Sequence, residues 1–232
     1  MALVGRPGSN TGAVYLMGWR SGTTVGGSCT AFAIQPSVLA TNAHCINALK
    51  QKGGTPIVTQ NESAGSVRFK ILSWAMHPGY KAGKTSAEAA DVGLLRVDGK
   101  MPKVVTLAND AELRSLGPGD DAFVIGFPGR VMDPVSPVAT FLQGHIGRLM
   151  ALGEAPAARP DDAVLVQHDV VTRGGNSGSP LFNQYGHVVA VHAAHLDDEA
   201  EVKVDGKNTT VVDASPYRVA MRVDLLKGVA AP

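Results

Sequence analysis

The chain has 232 residues, with 21 Lys and Arg against 20 Asp and Glu for a net charge of +1, and aromatics make up only 5%. That balance gives no electrostatic claim on nucleic acid or an acidic membrane surface and argues against a base-stacking platform. No apolar run reaches the length of a membrane-spanning helix, while 27 Gly and 14 Pro predict many turns between short strands.

The opening MALVGRPGSNTG has no charged region followed by an apolar one, so no signal peptide is visible. The chain reads as a mature form or as a fragment of a longer protein. Strands are predicted at 13–19 (AVYLMGW), 28–34 (SCTAFAI), 38–43 (VLATNA), 56–59 (PIVT), 67–74 (VRFKILSW) and 92–97 (VGLLRV). Each is short, rich in apolar and β-branched residues, and broken by Gly, Pro, Ser or Asn. GYKAGKT (79–85) resembles a phosphate-binding loop, but it is one residue short and Pro78 stands where its first glycine belongs, so it reads as a surface loop. The polar LANDAELRSLGPGDD (107–121) connects two groups of strands, with a short helix predicted at Asp110–Leu116. The second group runs through 122–127, 138–150, 163–171, 179–182, 187–194 and 209–214. PGRVMDPVSP (128–137) rims a cleft or is an ordinary long hairpin loop. A helix is predicted from Ser215-Pro216, a cap followed by proline, through apolar Val219, Val223 and Leu226 to a terminal glycine. About a dozen short strands suit an all-β barrel or sandwich. The patterns NES at Asn61 and NTT at Asn208 are glycosylation acceptors only in a eukaryotic secretory setting.

Acyl transfer by serine needs a nucleophile, a base to take its proton, and a carboxylate to hold the base in one tautomer. His44 in ATNAHC, Asp91 in AADVGLL and Ser177 in GGNSGSP supply one candidate for each, the first two in one strand group and the third in the other. Taken singly they are ordinary: a satisfied histidine, a turn aspartate, a loop serine. Taken together, in this order and with these flanks, the ordinary explanations lose ground. The α/β-hydrolase order of serine, acid and histidine is excluded, because no Asp or Glu lies between Ser177 and the last histidine, His195, and Ser179 stands where that motif needs glycine. Cys29 and Cys45 are either two core thiols or one disulfide; two thiols by themselves make no zinc site.

TNAHC, DVGLL and GNSGSP resemble the three motifs of the chymotrypsin-like serine protease family, and the resemblance covers residues 12–226. It implies an all-β fold of two six-stranded antiparallel β-barrels, over 12–108 and 119–214, with a C-terminal α-helix over 215–228 packed on them. It also implies a Cys29–Cys45 disulfide, since the family bridges the cysteine after its catalytic histidine to one sixteen positions earlier. On a chain-entropy estimate that loop is worth about 3 kcal/mol. Ser177 becomes the nucleophile, His44 the general base and then acid, and Asp91 the orienter. The backbone N–H groups of Gly175 and Ser177 become the oxyanion hole, where one donor is worth about 2.7–4 kcal/mol. No metal and no cofactor are expected.

Asn176 replaces the aspartate that trypsin and its zymogen relatives pair with a new N-terminal amine, so no trypsin-style activation is expected. GNSGSP is similar to the bacterial branch, shared by glutamyl endopeptidases and, as GNSGGP, by HtrA-type proteases. In glutamyl endopeptidases a threonine five residues before the serine and a histidine fifteen after it hold the substrate glutamate; here these are Thr172 and His192. A hydroxyl and an imidazole N–H both donate to a carboxylate. Arg173 adds positive field or faces water. Ala193, Ala194 and His195 fall where the substrate backbone pairs as an edge strand, and His195 departs from the glycine usual near that point. Relatives that use a processed N-terminus to bind the glutamate differ from this chain, which begins with Met1.

The expectation is a serine endopeptidase acting on protein or peptide through an acyl-enzyme, with a preference for Glu before the cut. It is taken as a monomer that binds no nucleic acid and does not insert in a membrane. The disulfide points to secretion, the periplasm or the cell envelope. The rival expectation is an HtrA-type or other regulatory module of a larger protein, cytoplasmic or not, that cuts after small apolar residues or only binds peptides.

Overall fold

A computed structural model describes residues 10–62, 67–129, 133–195, 198–204, 207–213 and 217–232. After one 3-10 turn, the first barrel is wound from β1 (Val14–Ser21), β2 (Thr24–Gln35), β3 (Val38–Thr41), β4 (Thr55–Gln60), β5 (Arg68–Met76) and β6 (Gly93–Val97), with helix α1 (Ala43–Lys50) between β3 and β4. It closes in the order β1-β2-β3-β6-β5-β4, all antiparallel.

The connection carries β7 (Thr106–Leu107) and α2 (Asp110–Ser115). Asn109 caps α2, its side chain accepting from the Ala111 and Glu112 N–H groups while Glu112 reaches back, the reciprocal box that fixes a short helix start. The second barrel is β8 (Asp121–Gly126), β9 (Thr140–Met150), β10 (Leu165–His168), β11 (Pro180–Phe182), β12 (His187–His195) and, after the hairpin β13 (Asp198–Val204) and β14 (Lys207–Asp213), β15 (Arg218–Arg222). Its order is β11-β8-β9-β10-β15-β12, and β11 pairing with β12 closes the ring, with β7 added in parallel outside β12.

The unbroken apolar runs of the first barrel have a geometric cause. Successive side chains on a strand point to opposite faces. On β1, Tyr15 and Met17 fill the first barrel while Val14 and Leu16 join the core of the second. On β2, Ala31 and Ala33 face inward and Phe32 faces the second barrel; on β3, Leu39 faces inward and Val38 and Ala40 outward. Strands buried on both faces show no alternation, and the same residues weld the two barrels together. Truncating fully buried Phe32 at this seam costs about 3–5 kcal/mol.

Two expectations about the C-terminal part are corrected. The segment read as helix over 215–228 is strand β15 followed by a 3-10 helix at Val223–Gly228; Ser215 and Pro216 lie outside the described residues. Val219, Val223 and Leu226 fit helical spacing. Yet both flanks of β15 are taken by β10 and β12, and Arg218 and Arg222 are buried. Arg222 is neutralised by a two-pronged pairing with Asp224, at 2.8 and 2.6 Å. Tertiary pairing overrides the local preference. Consequently β15, and not the predicted 209–214, is the sixth strand of the second barrel; Lys207–Asp213 belongs to a separate two-stranded sheet.

Candidate active site

Asp91 stands just ahead of β6, where the chain leaves the 77–91 loop. Its side chain is 2% exposed and ties the loop to α1. Asn42, the residue before α1, makes no side-chain cap; its amide instead donates to the Asp91 carbonyl at 2.8 Å. Asp91 Oδ1 takes the cap position by accepting from the His44 backbone N–H at 2.8 Å, a carboxylate at the donor end of a helix. Asp91 Oδ2 then receives two donors, His44 Nδ1 at 2.6 Å and Ser86 Oγ at 2.6 Å. Burial pushes the Asp91 carboxyl up, but the His44 ring, its charge, the Ser86 hydroxyl and the His44 N–H together hold it below the ordinary carboxylate value. The Nδ1 bond fixes the tautomer that leaves Nε2 as acceptor.

Ser177 lies in the 169–179 turn between β10 and β11, half-buried and reachable. Its hydroxyl donates to the Ala193 carbonyl at 3.2 Å. His44 Nε2 and the Ser177 carbonyl oxygen both lie against Cys45 Sγ, at 3.5 and 3.8 Å, so the turn from the second barrel meets α1 of the first at this sulfur. Cys45 is bonded to Cys29, as the resemblance implied.

The backbone of the turn is held peptide by peptide. The Gly174 carbonyl accepts from the Gly129 N–H at 2.6 Å and the Asn176 carbonyl from the Ser179 N–H at 2.9 Å. A peptide's N–H points opposite to its C=O, so these bonds turn out the N–H groups of Gly175 and Ser177, which donate to no described group. Between them, the Gly175 carbonyl accepts from Thr30 Oγ1 at 2.9 Å and the Ser177 carbonyl from the Thr30 N–H at 2.8 Å. Gly175 has φ +99°, and a Cβ there would run into the Phe127 carbonyl oxygen; only glycine fits both demands. Asn176 is fully buried, and among the described residues neither end of its carboxamide has a partner.

Thr172 and His192 are both buried beside this turn. His192 is fastened to it by its backbone, its carbonyl accepting from Gly178 at 2.9 Å and its N–H donating to Ser179 at 2.8 Å. Its Nδ1 meets His168 Nε2 at 3.2 Å, with the rings edge to face at 66°. The Thr172 hydroxyl has no partner among the described residues. Arg173 is exposed and its guanidinium folds back on the Thr172 carbonyl at 3.2 Å. Ala193 is buried and Ala194 half-buried, and a bulge between His192 and Ala194 interrupts the pairing with β15. His195 ends β12 with its backbone opposite Arg218. Met1, Ser63 of the NES pattern and part of the 128–137 loop lie outside the described residues. Nor does any helix among the described residues have the length and apolarity to cross a membrane.

Thr30, Ser86, Gly129 and His168 escape the sequence reading. Thr30 is next to Cys29 but contacts Gly175, 145 positions away, and no local pattern marks such a pairing. His168 sits in an ordinary strand, where its companion His192 is the only clue.

Residues 29–191 match the family model described as a trypsin-like peptidase domain. A glutamyl endopeptidase of Staphylococcus aureus is 33% identical over 102 residues, which are 44% of this chain and 25% of that protein. Another, from Staphylococcus aureus strain MRSA252, is 35% identical over 95 residues, 40% of this chain and 21% of that protein. The matched stretch thus spans a quarter or less of these curated relatives. The crystal structure of Mycobacterium tuberculosis Rv3671c, a serine-to-alanine mutant in an inactive form, superposes with a TM-score of 0.57 at 18% identity, over 94% of this chain and 85% of that one.

Proposed function

The chain belongs to the trypsin-like peptidase family, and from that premise we propose that it is a serine endopeptidase with Ser177 as nucleophile, His44 as base and Asp91 as orienter. The observation that carries this reading is the pair of outward N–H groups at Gly175 and Ser177, locked by Gly129 and Ser179 beside a reachable hydroxyl. An oxyanion forming on a carbonyl attacked by Ser177 meets two donors that need no reorganisation.

In the free enzyme the Ser177 hydroxyl is parked on the Ala193 carbonyl. A substrate whose backbone N–H takes that carbonyl releases the hydroxyl, and a turn about χ1 brings it to His44 Nε2. Such bonds commonly tighten only in the complex. His44 accepts the proton, Asp91 holds the resulting imidazolium, and the proton passes on to the leaving amine. Beyond Val191 no described strand pairs with the β11 side of β12, which supports Ala193–His195 as the place where substrate backbone lies.

A preference for glutamate before the cut follows from Thr172 and His192. The buried Thr172 hydroxyl lacks a partner, a cost a substrate carboxylate removes by accepting from it. His168 supports His192 through its Nε2 contact with the His192 Nδ1 at 3.2 Å. The disulfide supports an oxidising compartment, outside the cytoplasm or in the envelope.

Digestion of a peptide library varied at the residue before the cut tests the activity and the pocket together. Cleavage after Glu over Gln, Ala and Val is expected, and Ser177→Ala should lose both cleavage and fluorophosphonate labelling. A preference for Val or Ala removes the carboxylate pocket, and full labelling of the Ser177→Ala chain removes the nucleophile.

A further inference from the structure

We propose that Cys29, Cys45 and His44 form a latent zinc site that opens when the disulfide is reduced and, once filled, takes the imidazole away from Ser177. The inference rests on the reading of His44 as base, and its first test does not use activity.

The two sulfurs and the ring nitrogen lie within 4.8 Å of one another, and Cys45 Sγ is 3.5 Å from His44 Nε2. A sulfur and an imidazole nitrogen on one tetrahedral zinc, at the usual bond lengths, stand about 3.5 Å apart. That pair is already spaced for the metal. His44 Nδ1 is bonded to Asp91 at 2.6 Å, the arrangement zinc-binding histidines use: one nitrogen donates to a carboxylate so that the other presents its lone pair. Cys45 is fully buried and Cys29 nearly so, whereas the His44 side chain is 37% exposed. The sulfur side is dry, and the open side admits a water as fourth ligand. Thiolate and imidazole together suit zinc over hard cations.

In the oxidised chain the sulfurs are bonded to each other and are not available as thiolates. A small-molecule or protein dithiol opens the bond by exchange: it gives up two electrons and two protons, leaves as its own disulfide, and Cys29 and Cys45 become thiols. Zn2+ displaces the two thiol protons and accepts the Nε2 lone pair. Nε2 then has nothing with which to take the Ser177 proton. A chain folded under reducing conditions with zinc is held without its base. Exchange with a small-molecule or protein disulfide, which takes the two electrons, picks up two protons from solvent and leaves as its dithiol, re-forms the Cys29–Cys45 bond, releases Zn2+ and restores the base.

The whole chain, reduced with a phosphine (which leaves as its oxide, with oxygen from water) and freed of reagent without air, is titrated with Co2+ and then Zn2+. The expected result is a thiolate-to-cobalt charge-transfer band and strong tetrahedral d–d absorption at one metal per chain, bleached by Zn2+ and absent from the oxidised chain. Reduced Asp91→Asn should bind Zn2+ about 10–100-fold more weakly, through loss of support to the ligating ring. Hydrolysis by the reduced wild type should fall about 10²–10⁴-fold with Zn2+, the worth of a general base, and return on chelation, while the oxidised enzyme ignores the same zinc. Missing charge-transfer bands, loss of near-ultraviolet circular dichroism on reduction, or equal zinc affinity in Asp91→Asn overturns the proposal. The bands without hydrolysis in any state support the metal site and refute the peptidase reading instead.

Discussion

The Thr30 hydroxyl, on a strand of the first barrel, donates to the Gly175 carbonyl of the second at 2.9 Å and accepts from the Phe127 N–H at 3.2 Å. With its own N–H on the Ser177 carbonyl, one residue grips the nucleophile turn at two carbonyls. Thr30→Val keeps the shape but leaves the Gly175 carbonyl and the Phe127 N–H unpaired in a buried place, a loss on the order of 1–3 kcal/mol. We expect kcat to fall about 10–100-fold with little change in KM, and Thr30→Ser to recover most of it. Steady-state kinetics on all three chains check this; unchanged kcat in Thr30→Val would show that the grip is not needed.

Ser86 shares Asp91 Oδ2 with the His44 ring. It lies five residues before the carboxylate it serves, so the 77–91 loop carries both. Ser86→Ala removes a hydrogen bond to a charged group, worth about 1.5–3 kcal/mol, and lets the buried Asp91 carboxyl rise. The expected effect is on kcat and not KM, again about tenfold or more, with Ser86→Thr close to wild type. A loss confined to melting temperature would assign Ser86 to the fold alone.

Asp91 also carries an acid signature. Its carboxyl is held below the ordinary value in the folded chain, so folding is favoured by its ionisation above the unfolded value, near 3.9. That contribution is lost as pH falls through the lowered folded value. Thermal unfolding of wild type and Asp91→Asn from about pH 7 down to pH 2 should show the stability gap between them narrowing below about pH 4. A gap that stays constant down to pH 2 would mean that the ion is not what stabilises the site.

Two adjacent glycines should behave differently. Gly174 has open space where a Cβ would go, whereas Gly175 has φ +99° and faces the Phe127 carbonyl oxygen. Gly174→Ala should leave melting temperature and kcat near wild type. Gly175→Ala should lose at least about 1–3 kcal/mol to backbone strain and most of its activity. Equal tolerance at both positions would mean that the turn does not need its left-handed peptide.

How much of this could be read beforehand depends on the range of the cause. His44, Asp91 and Ser177 are legible because short flanks mark them, and most barrel strands are legible from their apolar runs. Helix α1 is missed because its apolar residues, Ala43, Ile46 and Leu49, follow β3 after one polar residue and blend with it. Strand β15 reads as helix because its neighbours, β10 and β12, are absent from any local window. Thr30, Ser86 and His168 act through side-chain contacts set by how the barrels meet; the Thr30 pairing exists only because Phe32, Val38 and Leu16 seat one barrel on the other.

β15 also sets the timing of assembly. It is the last of the twelve barrel strands in chain order, and it lies between β10, which leads into the Ser177 turn, and β12, which carries His192 and Ala193. Until residues 218–222 have left the ribosome, those two strands have open edges toward each other and the second barrel cannot close. Synthesis from the N-terminus therefore delivers His44 and Asp91 early and a closed second barrel only with β15, so on the proposed function a half-made chain has no completed cleft with which to cut its neighbours.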